Sequence, residues 1–107
     1  MNLKIVTYVP VESLEAILDA IGDSGAGVIG NYTHCSFAIE GVGRFLPGSD
    51  SSPAIGTPGV RESVVEHRVE FVCEKQKAKK IVSLIRQIHP YEEVPIDIYE
   101  LIPETEL

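Results

Sequence analysis

Hydrophobic and polar residues alternate with a period of two along the first ten positions. Leu3, Ile5, Thr7 and Val9 share one side of this pattern, and Pro10 interrupts it. A period of two places successive side chains on opposite faces of an extended chain, and β-branched residues favour strands. The segment therefore predicts a β-strand with both faces partly buried.

Two later segments show the spacing of i, i+3, i+4 and i+7 that is typical of amphipathic helices. The first follows Pro10, and Gly22 and Gly25 are expected to end it. The second is expected to end at His89, because Pro90 disfavours the helical conformation in the residue before it. The lysines of the second helix, at 75, 77, 79 and 80, are interpreted as a solvated face. The apolar positions are Leu14, Ile17, Leu18 and Ile21, and then Ala78, Ile81, Val82, Ile85 and Ile88.

Three further segments return to the pattern of strands, at residues 28–40, 65–74 and 96–102. The second of these has the clearest alternation, with apolar residues on one face and charged residues on the other. Between the first two, residues 41–59 are rich in glycine, proline and serine and have no periodicity, which predicts a long loop. The acidic tail at 103–107 is expected to fray.

The order strand, helix, strand, strand, helix, strand predicts a single α+β domain over residues 1–107. Two right-handed crossovers in this order build a ferredoxin-like, four-stranded antiparallel sheet with both helices on one face. The other face must then be solvated or covered by another chain. We expect a cyclic homo-oligomer.

Composition and charge narrow the classes of partner. The 107 residues carry a formal net charge of −7, which argues against nucleic acid as the main partner. No stretch approaches the roughly 18 apolar residues of a membrane span, and the N-terminal apolar run is too short for a signal peptide. The two cysteines, Cys35 and Cys73, form no disulfide framework and no CxxC pair. We therefore expect a cytoplasmic protein.

The run His89-Pro90-Tyr91-Glu92-Glu93 places an imidazole, a phenol and two carboxylates at one helix-to-strand corner. These groups can bind a divalent metal ion or act in acid/base chemistry. Adjacent glutamates in an extended segment point to opposite sides, so a metal site of His89, Glu92 and Glu93 needs a second segment or subunit. In the alternative interpretation, His89 bonds the final helix carbonyls, Tyr91 packs, and the glutamates face water or a subunit.

The segment 40–48 contains a GxG sequence beside Arg44 and Phe45. It does not lie between a strand and a helix, so a dinucleotide-binding motif is disfavoured. The glycines are interpreted as a bulge or as positions of positive φ. Arg44 is a candidate anion contact from an exposed loop, and a salt bridge to one of the many acids is the alternative.

The remaining reactive side chains form no catalytic constellation. His34 and Cys35 are neighbours in a predicted strand and would face opposite ways. His67 and Cys73 are interpreted as core residues. The sequence has no nucleophile elbow, P-loop or HExxH motif, so no catalytic residue is assigned.

Three runs carry a resemblance to a known family: GAGVIGNYTHCSF at 25–37, EGVGRFLPG at 40–48 and HPYEE at 89–93. Together they resemble the PII-like insert domain of the YqfO branch of the GTP cyclohydrolase 1 type 2 homologs. HPYEEVP is also similar to a signature of the divalent-cation tolerance protein CutA. The resemblance covers nearly the whole chain and implies a PII- or CutA-like homotrimer whose long loop contacts ligands. The dinuclear metal ligands of that family lie in flanking halves outside these residues, so hydrolase activity is not implied.

We therefore expect a non-enzymatic, homotrimeric binding or regulatory module that recognises a small ligand or a divalent metal ion at an intersubunit cleft. One alternative is an oligomerisation or protein-interaction module without a ligand. Another is a small acid/base enzyme using His89, which is least favoured because no nucleophile or complete metal site accompanies it. The expected ligand contacts are Arg44, Phe45, His89, Tyr91 and Glu92.

Overall fold

The computed structural model describes all 107 residues and contains four strands and two α-helices. Short 3₁₀ turns follow the first strand and lie near the C-terminus, at Val11–Ser13 and Glu104–Glu106. The predicted order of strand, helix, strand, strand, helix, strand is confirmed. The elements are β1 (Asn2–Pro10), α1 (Leu14–Asp23), β2 (Phe37–Phe45), β3 (Glu62–Glu74), α2 (Lys75–Ile88) and β4 (Ile96–Glu100).

The strands form one antiparallel sheet in the order β2-β3-β1-β4. β1 lies inside the sheet and pairs with β3 from Asn2↔Glu74 to Pro10↔Glu66. On its other side β4 pairs only as far as Thr7↔Ile96. The last residues of β1 are therefore free of a strand partner on that side, and the segment between α2 and β4 passes beside them.

Both helices pack on one face of the sheet and bury its alternate residues. The amphipathic pattern of each helix explains this, because each presents one apolar stripe. Burying a large aliphatic side chain contributes about 1.5–3 kcal/mol. Cys73 is in this core, as predicted. Neither helix has the length and apolar character of a membrane-spanning helix. The core comprises Leu3, Ile5, Val9, Ile17, Ile21, Ala26, Val69, Phe71, Cys73, Ala78, Ile81 and Ile85.

The predicted strand at residues 28–40 is wrong over most of its length. Residues 28–36 contain only an isolated bridge between Ile29 and Tyr32, and β2 begins at Phe37. The physical reason is backbone conformation: Gly27, Gly30 and His34 have φ values of 74°, 57° and 58°. A left-handed residue breaks the pleat that a strand requires.

The predicted loop at residues 41–59 also begins too early. β2 continues through the GxG sequence to Phe45, and the irregular connection occupies residues 46–61. Gly41 pairs with Glu66 and Gly43 pairs with Val64 in regular register, and neither glycine has positive φ. The interpretation of these glycines as a bulge or as positions of positive φ is therefore wrong.

The face of the sheet opposite the helices has no covering layer within the chain. Directly paired residues share a face, so Phe37 and Ile39 of β2 lie on this side with Glu70 and Arg68 of β3. Phe37 is 61% exposed and Ile39 is 54% exposed. We call this surface the uncovered face.

Candidate functional site

His89 is the buried anchor of the corner between α2 and β4. Its backbone is extended, and its N–H donates to the Ile85 carbonyl at 2.9 Å as the last bond of the helix. The ring lies against β1, where Nε2 is 2.7 Å from the Tyr8 carbonyl oxygen. On the other side, the backbone N–H of Tyr91 donates to Nδ1 at 3.1 Å. Since Nδ1 accepts, Nε2 carries the proton and donates to Tyr8.

Both nitrogens of the neutral imidazole are therefore satisfied, and the residue is only 6% exposed. Burial lowers the pKa of His89 from its ordinary value of 6.5, against the opposing effects of the Tyr8 hydrogen bond and the Glu66 charge. The predicted bonds from the ring to the final helix carbonyls are replaced by a bond to β1. A ring in this state holds the corner in place and offers no free nitrogen to a ligand.

Tyr91 connects the corner to the uncovered face. Its hydroxyl donates to Oε2 of Glu66 at 2.9 Å, and its ring meets the ring of His89 edge-on with centroids 4.7 Å apart. Burial, followed by the interaction with Glu66, raises the pKa of Tyr91 well above its ordinary value. Tyr91 therefore stays protonated and acts as a hydrogen-bond donor.

Gly43 provides the space that the Glu66 carboxylate occupies. A Cβ at position 43 would overlap Oε1 of Glu66, whereas a Cβ at Gly41 would have no neighbour within 4 Å. Any larger residue at position 43 would therefore have to displace the end of this flexible side chain. The Glu66 carboxylate of β3 thus lies against Gly43 of β2 and accepts a hydrogen bond from Tyr91 of the corner.

Glu92 ties the long connection to the corner. Its two carboxylate oxygens accept from the backbone N–H of Ser52 at 3.1 and 3.0 Å. Glu93 is exposed and makes no hydrogen bond or salt bridge within the chain. No group of three or more histidine, cysteine, aspartate or glutamate side chains converges closely enough to hold a metal ion. The assignment of His89, Glu92 and Glu93 as metal ligands stays a prediction.

These contacts border a cavity of about 610 Å³, open to solvent on one side, between the end of β2, the long connection and the corner. Four of the five predicted ligand contacts line it: Arg44, Phe45, Tyr91 and Glu92. His89 lies behind the wall. The alternative role of Arg44, a salt bridge, is not seen within the chain, because no carboxylate lies within 4.0 Å of this exposed guanidinium. The full lining is Tyr8, Gly43, Arg44, Phe45, Leu46, Pro47, Gly48, Ser51, Pro53, Ala54, Ile55, Glu66, Tyr91, Glu92, Glu93, Val94 and Pro95.

Sequence reasoning missed Tyr8 and Glu66 as parts of this site. Both belong to the alternating strands β1 and β3, where each reads as one polar residue among several. Their positions on the uncovered face beside the corner follow from strand register, which a single sequence does not reveal. The glycine at 43 was the available signal, since glycine within a strand often marks a close approach.

The other histidines lie away from the cavity. His34 is exposed, and its ring lies so close to Gly22 that a Cβ there would overlap it. Its Nε2 is 2.9 Å from Oδ1 of Asp23 at the end of α1, so it pins the irregular segment to that helix. His67 is half-buried as predicted, and its Nδ1 has no partner within the chain.

The fold defines the class of protein. The chain superposes on CutA from Archaeoglobus fulgidus with a TM-score of 0.72 at 15% identity, covering 96% of this chain and 86% of that one. It matches the PII-like protein CutA from Nostoc sp. PCC 7120 with a TM-score of 0.70 at 17% identity, covering 100% of this chain and 86% of that one. The protein therefore has the CutA/PII-like fold, as the sequence analysis predicted.

Sequence comparison identifies a more specific relationship. The chain is 45% identical over 100 residues to the GTP cyclohydrolase 1 type 2 homolog of Mycobacterium tuberculosis, covering 94% of this chain and 26% of that protein. It is 45% identical over 96 residues to the Bacillus subtilis homolog, covering 90% and 26%. A Bacillus cereus protein related to NIF3 superposes with a TM-score of 0.83 at 39% identity, covering 95% and 26%.

The chain is therefore homologous to a segment of about 100 residues in the GTP cyclohydrolase 1 type 2 homologs, which are NIF3-related. It spans about a quarter of the length of these relatives. No protein-family model matches the chain.

Proposed function

We propose that the protein is a non-enzymatic, homotrimeric module that binds a small ligand in the cavity at the corner, with a neighbouring subunit completing the cleft. One observation carries the proposal. The two segments singled out by the sequence, Arg44–Gly48 and Tyr91–Pro95, are 43 or more residues apart in the chain yet line one cavity of about 610 Å³. Cavities of this size are typical of small-molecule sites.

The uncovered face supports the homotrimer. A sheet with helices on one side leaves its other side to solvent or to another chain. Here that side carries the exposed Phe37 and Ile39, and clustered exposed apolar side chains favour an interface. Tyr8, Phe45 and Glu66 lie on the same face by register and also line the cavity. A subunit packed on this face would therefore border the cavity.

We propose a role for each residue of the site. Arg44, Phe45, Tyr91 and Glu92 are the proposed ligand contacts, and His89 is a positioning residue that holds Tyr91. A divalent metal ion at this corner would use Glu93 together with groups from a second subunit, because both nitrogens of His89 and both carboxylate oxygens of Glu92 are already hydrogen-bonded. The doubly bonded, buried ring gives no support to an acid/base enzyme.

Two measurements test the proposal. Light scattering is expected to give three times the chain mass of 11.7 kDa. Thermal shift across a panel of nucleotides, organic ions and divalent metals is expected to show stabilisation by at least one compound. Phe45→Ala is expected to weaken that stabilisation, and Lys79→Ala on the solvated face of α2 is the matched control. A monomer, or loss of signal in both variants, would contradict the proposal.

An oligomerisation module without a ligand is the second candidate, and the exposed Phe37 and Ile39 favour it. In that case Phe37→Ser alters the oligomer mass, while no compound of the panel stabilises the protein. The same thermal-shift panel therefore separates the two functions, because a ligand-dependent shift occurs only in the first.

A further inference from the structure

We infer that the cavity binds an organic cation, such as a substituted ammonium group, in preference to an anion or a nucleotide polyphosphate. This inference rests on the proposed ligand-binding function and specifies its ligand class. The cavity is large enough for a small organic molecule. The aromatic and charged side chains of its walls determine which sign of ligand charge it favours.

Aromatic rings make up an unusual share of the lining. The whole chain has three phenylalanines, four tyrosines and no tryptophan. Three of these seven rings, Tyr8, Phe45 and Tyr91, line this one cavity. The face of an aromatic ring carries partial negative charge and attracts cations, and substituted ammonium groups are the ligands that several such rings recognise.

The charged groups point to the same ligand. Three carboxylates line the cavity, those of Glu66, Glu92 and Glu93, against the single guanidinium of Arg44. No lysine lines the cavity, and the phosphates of a nucleotide are normally bound by several cationic or backbone donors.

The carboxylates differ in their freedom to meet a ligand. Glu66 already accepts from the Tyr91 hydroxyl, and Glu92 from the Ser52 backbone. Glu93 has no partner within the chain, so it is the carboxylate most available to an incoming cation. Arg44 is also unpaired and would repel that cation. The two residues therefore have opposite predicted effects on the same ligand.

Isothermal titration calorimetry with matched probes tests the inference. Benzyltrimethylammonium and choline are the cations, 3,3-dimethyl-1-butanol is the neutral isostere of choline, and benzoate and ATP are the anions. The cations are expected to bind at least about tenfold more tightly than the neutral isostere or the anions. Raising the salt concentration from about 50 mM to about 500 mM is expected to weaken cation binding.

Two variants give opposite expected changes. Glu93→Gln removes an exposed carboxylate without breaking a bond and is expected to weaken cation binding about fivefold. Arg44→Gln is expected to strengthen it by a similar factor, whereas general damage to the fold would weaken both. Glu15→Gln on α1, outside the cavity, is the control and is expected to bind as the unmodified protein does.

The outcomes separate the inference from the function on which it rests. Tighter binding of benzoate or ATP, or equal binding of choline and its neutral isostere, would overturn the inference and leave the ligand-binding function in place. Weakening by both Glu93→Gln and Arg44→Gln would also overturn it. If no organic probe, nucleotide or metal ion binds, the proposed function itself is wrong.

Discussion

Replacement of His89 by alanine is expected to destabilise the fold strongly and to remove a specific part of its pH dependence. The ring makes two hydrogen bonds, at 2.7 Å to the Tyr8 carbonyl and at 3.1 Å from the Tyr91 N–H. Each bond contributes about 1 kcal/mol. Loss of a buried ring adds about 1 kcal/mol of packing. The expected loss is therefore about 3 kcal/mol, a large part of the stability of a small domain.

The pH dependence follows from the lowered pKa of His89. Above the ordinary value of 6.5 the ring is neutral in both the folded and the unfolded protein, so it adds no slope. As the pH falls below 6.5, the unfolded chain takes up a proton that the folded chain excludes. The free energy of unfolding then decreases by up to about 1.4 kcal/mol per pH unit until the folded pKa is reached.

Urea denaturation followed by circular dichroism, at one protein concentration and several pH values, measures both effects. His34→Ala is the control: it removes an exposed ring and its hydrogen bond to Asp23, for which we expect a loss of about 0.5 kcal/mol and no change in the slope assigned to His89. The reasoning is refuted if His89→Ala costs less than about 1 kcal/mol. It is also refuted if this variant keeps the same loss of stability below pH 6.5 as the unmodified protein. Should the alanine variant not fold, His89→Gln retains one donor and one acceptor and permits the same comparison of slopes.

Three further predictions follow from the same contacts. Gly43→Ala is expected to lower the free energy of unfolding by about 1–2 kcal/mol, because the new Cβ displaces the Glu66 carboxylate from its bond with Tyr91. The control Gly41→Ala is expected to change it by no more than about 0.5 kcal/mol, and equal losses in urea denaturation would contradict the role of Gly43. In thiol titration, Cys35 is expected to react in the folded protein, whereas Cys73, whose pKa is raised by burial, is expected to react only after unfolding. Rapid reaction of both thiols in the folded protein would show that the core around Cys73 opens. In ultraviolet titration, Tyr91 is expected to ionise only well above the ordinary pKa of a tyrosine, because burial and then Glu66 raise its pKa, and an unchanged high-pH step in Tyr91→Phe would count against the assignment.

The sequence by itself determined the elements whose patterns are local. The spacing of Ile17 and Ile21 in α1, and of Ile81 and Ile85 in α2, defines one apolar stripe per helix, and all four residues are buried. The alternation in β1 and β3 located the two long central strands in the same way. These signals suffice because each depends on neighbours within one or two turns or pleats. The motifs at Arg44 and Tyr91 likewise marked both walls of the cavity.

Tertiary structure decided how these elements meet. The bond from His89 to the Tyr8 carbonyl joins residues 81 positions apart, and the bond from Tyr91 to Glu66 joins residues 25 apart. Neither has a local pattern, because strand register and the path of the corner set both contacts. His89, a candidate ligand from its neighbours in sequence, makes both of its ring hydrogen bonds within the chain. The close approach of Glu66 to Gly43, the hydrogen bond from Ser52 to Glu92 and the cavity beside them exist only once the four strands are aligned.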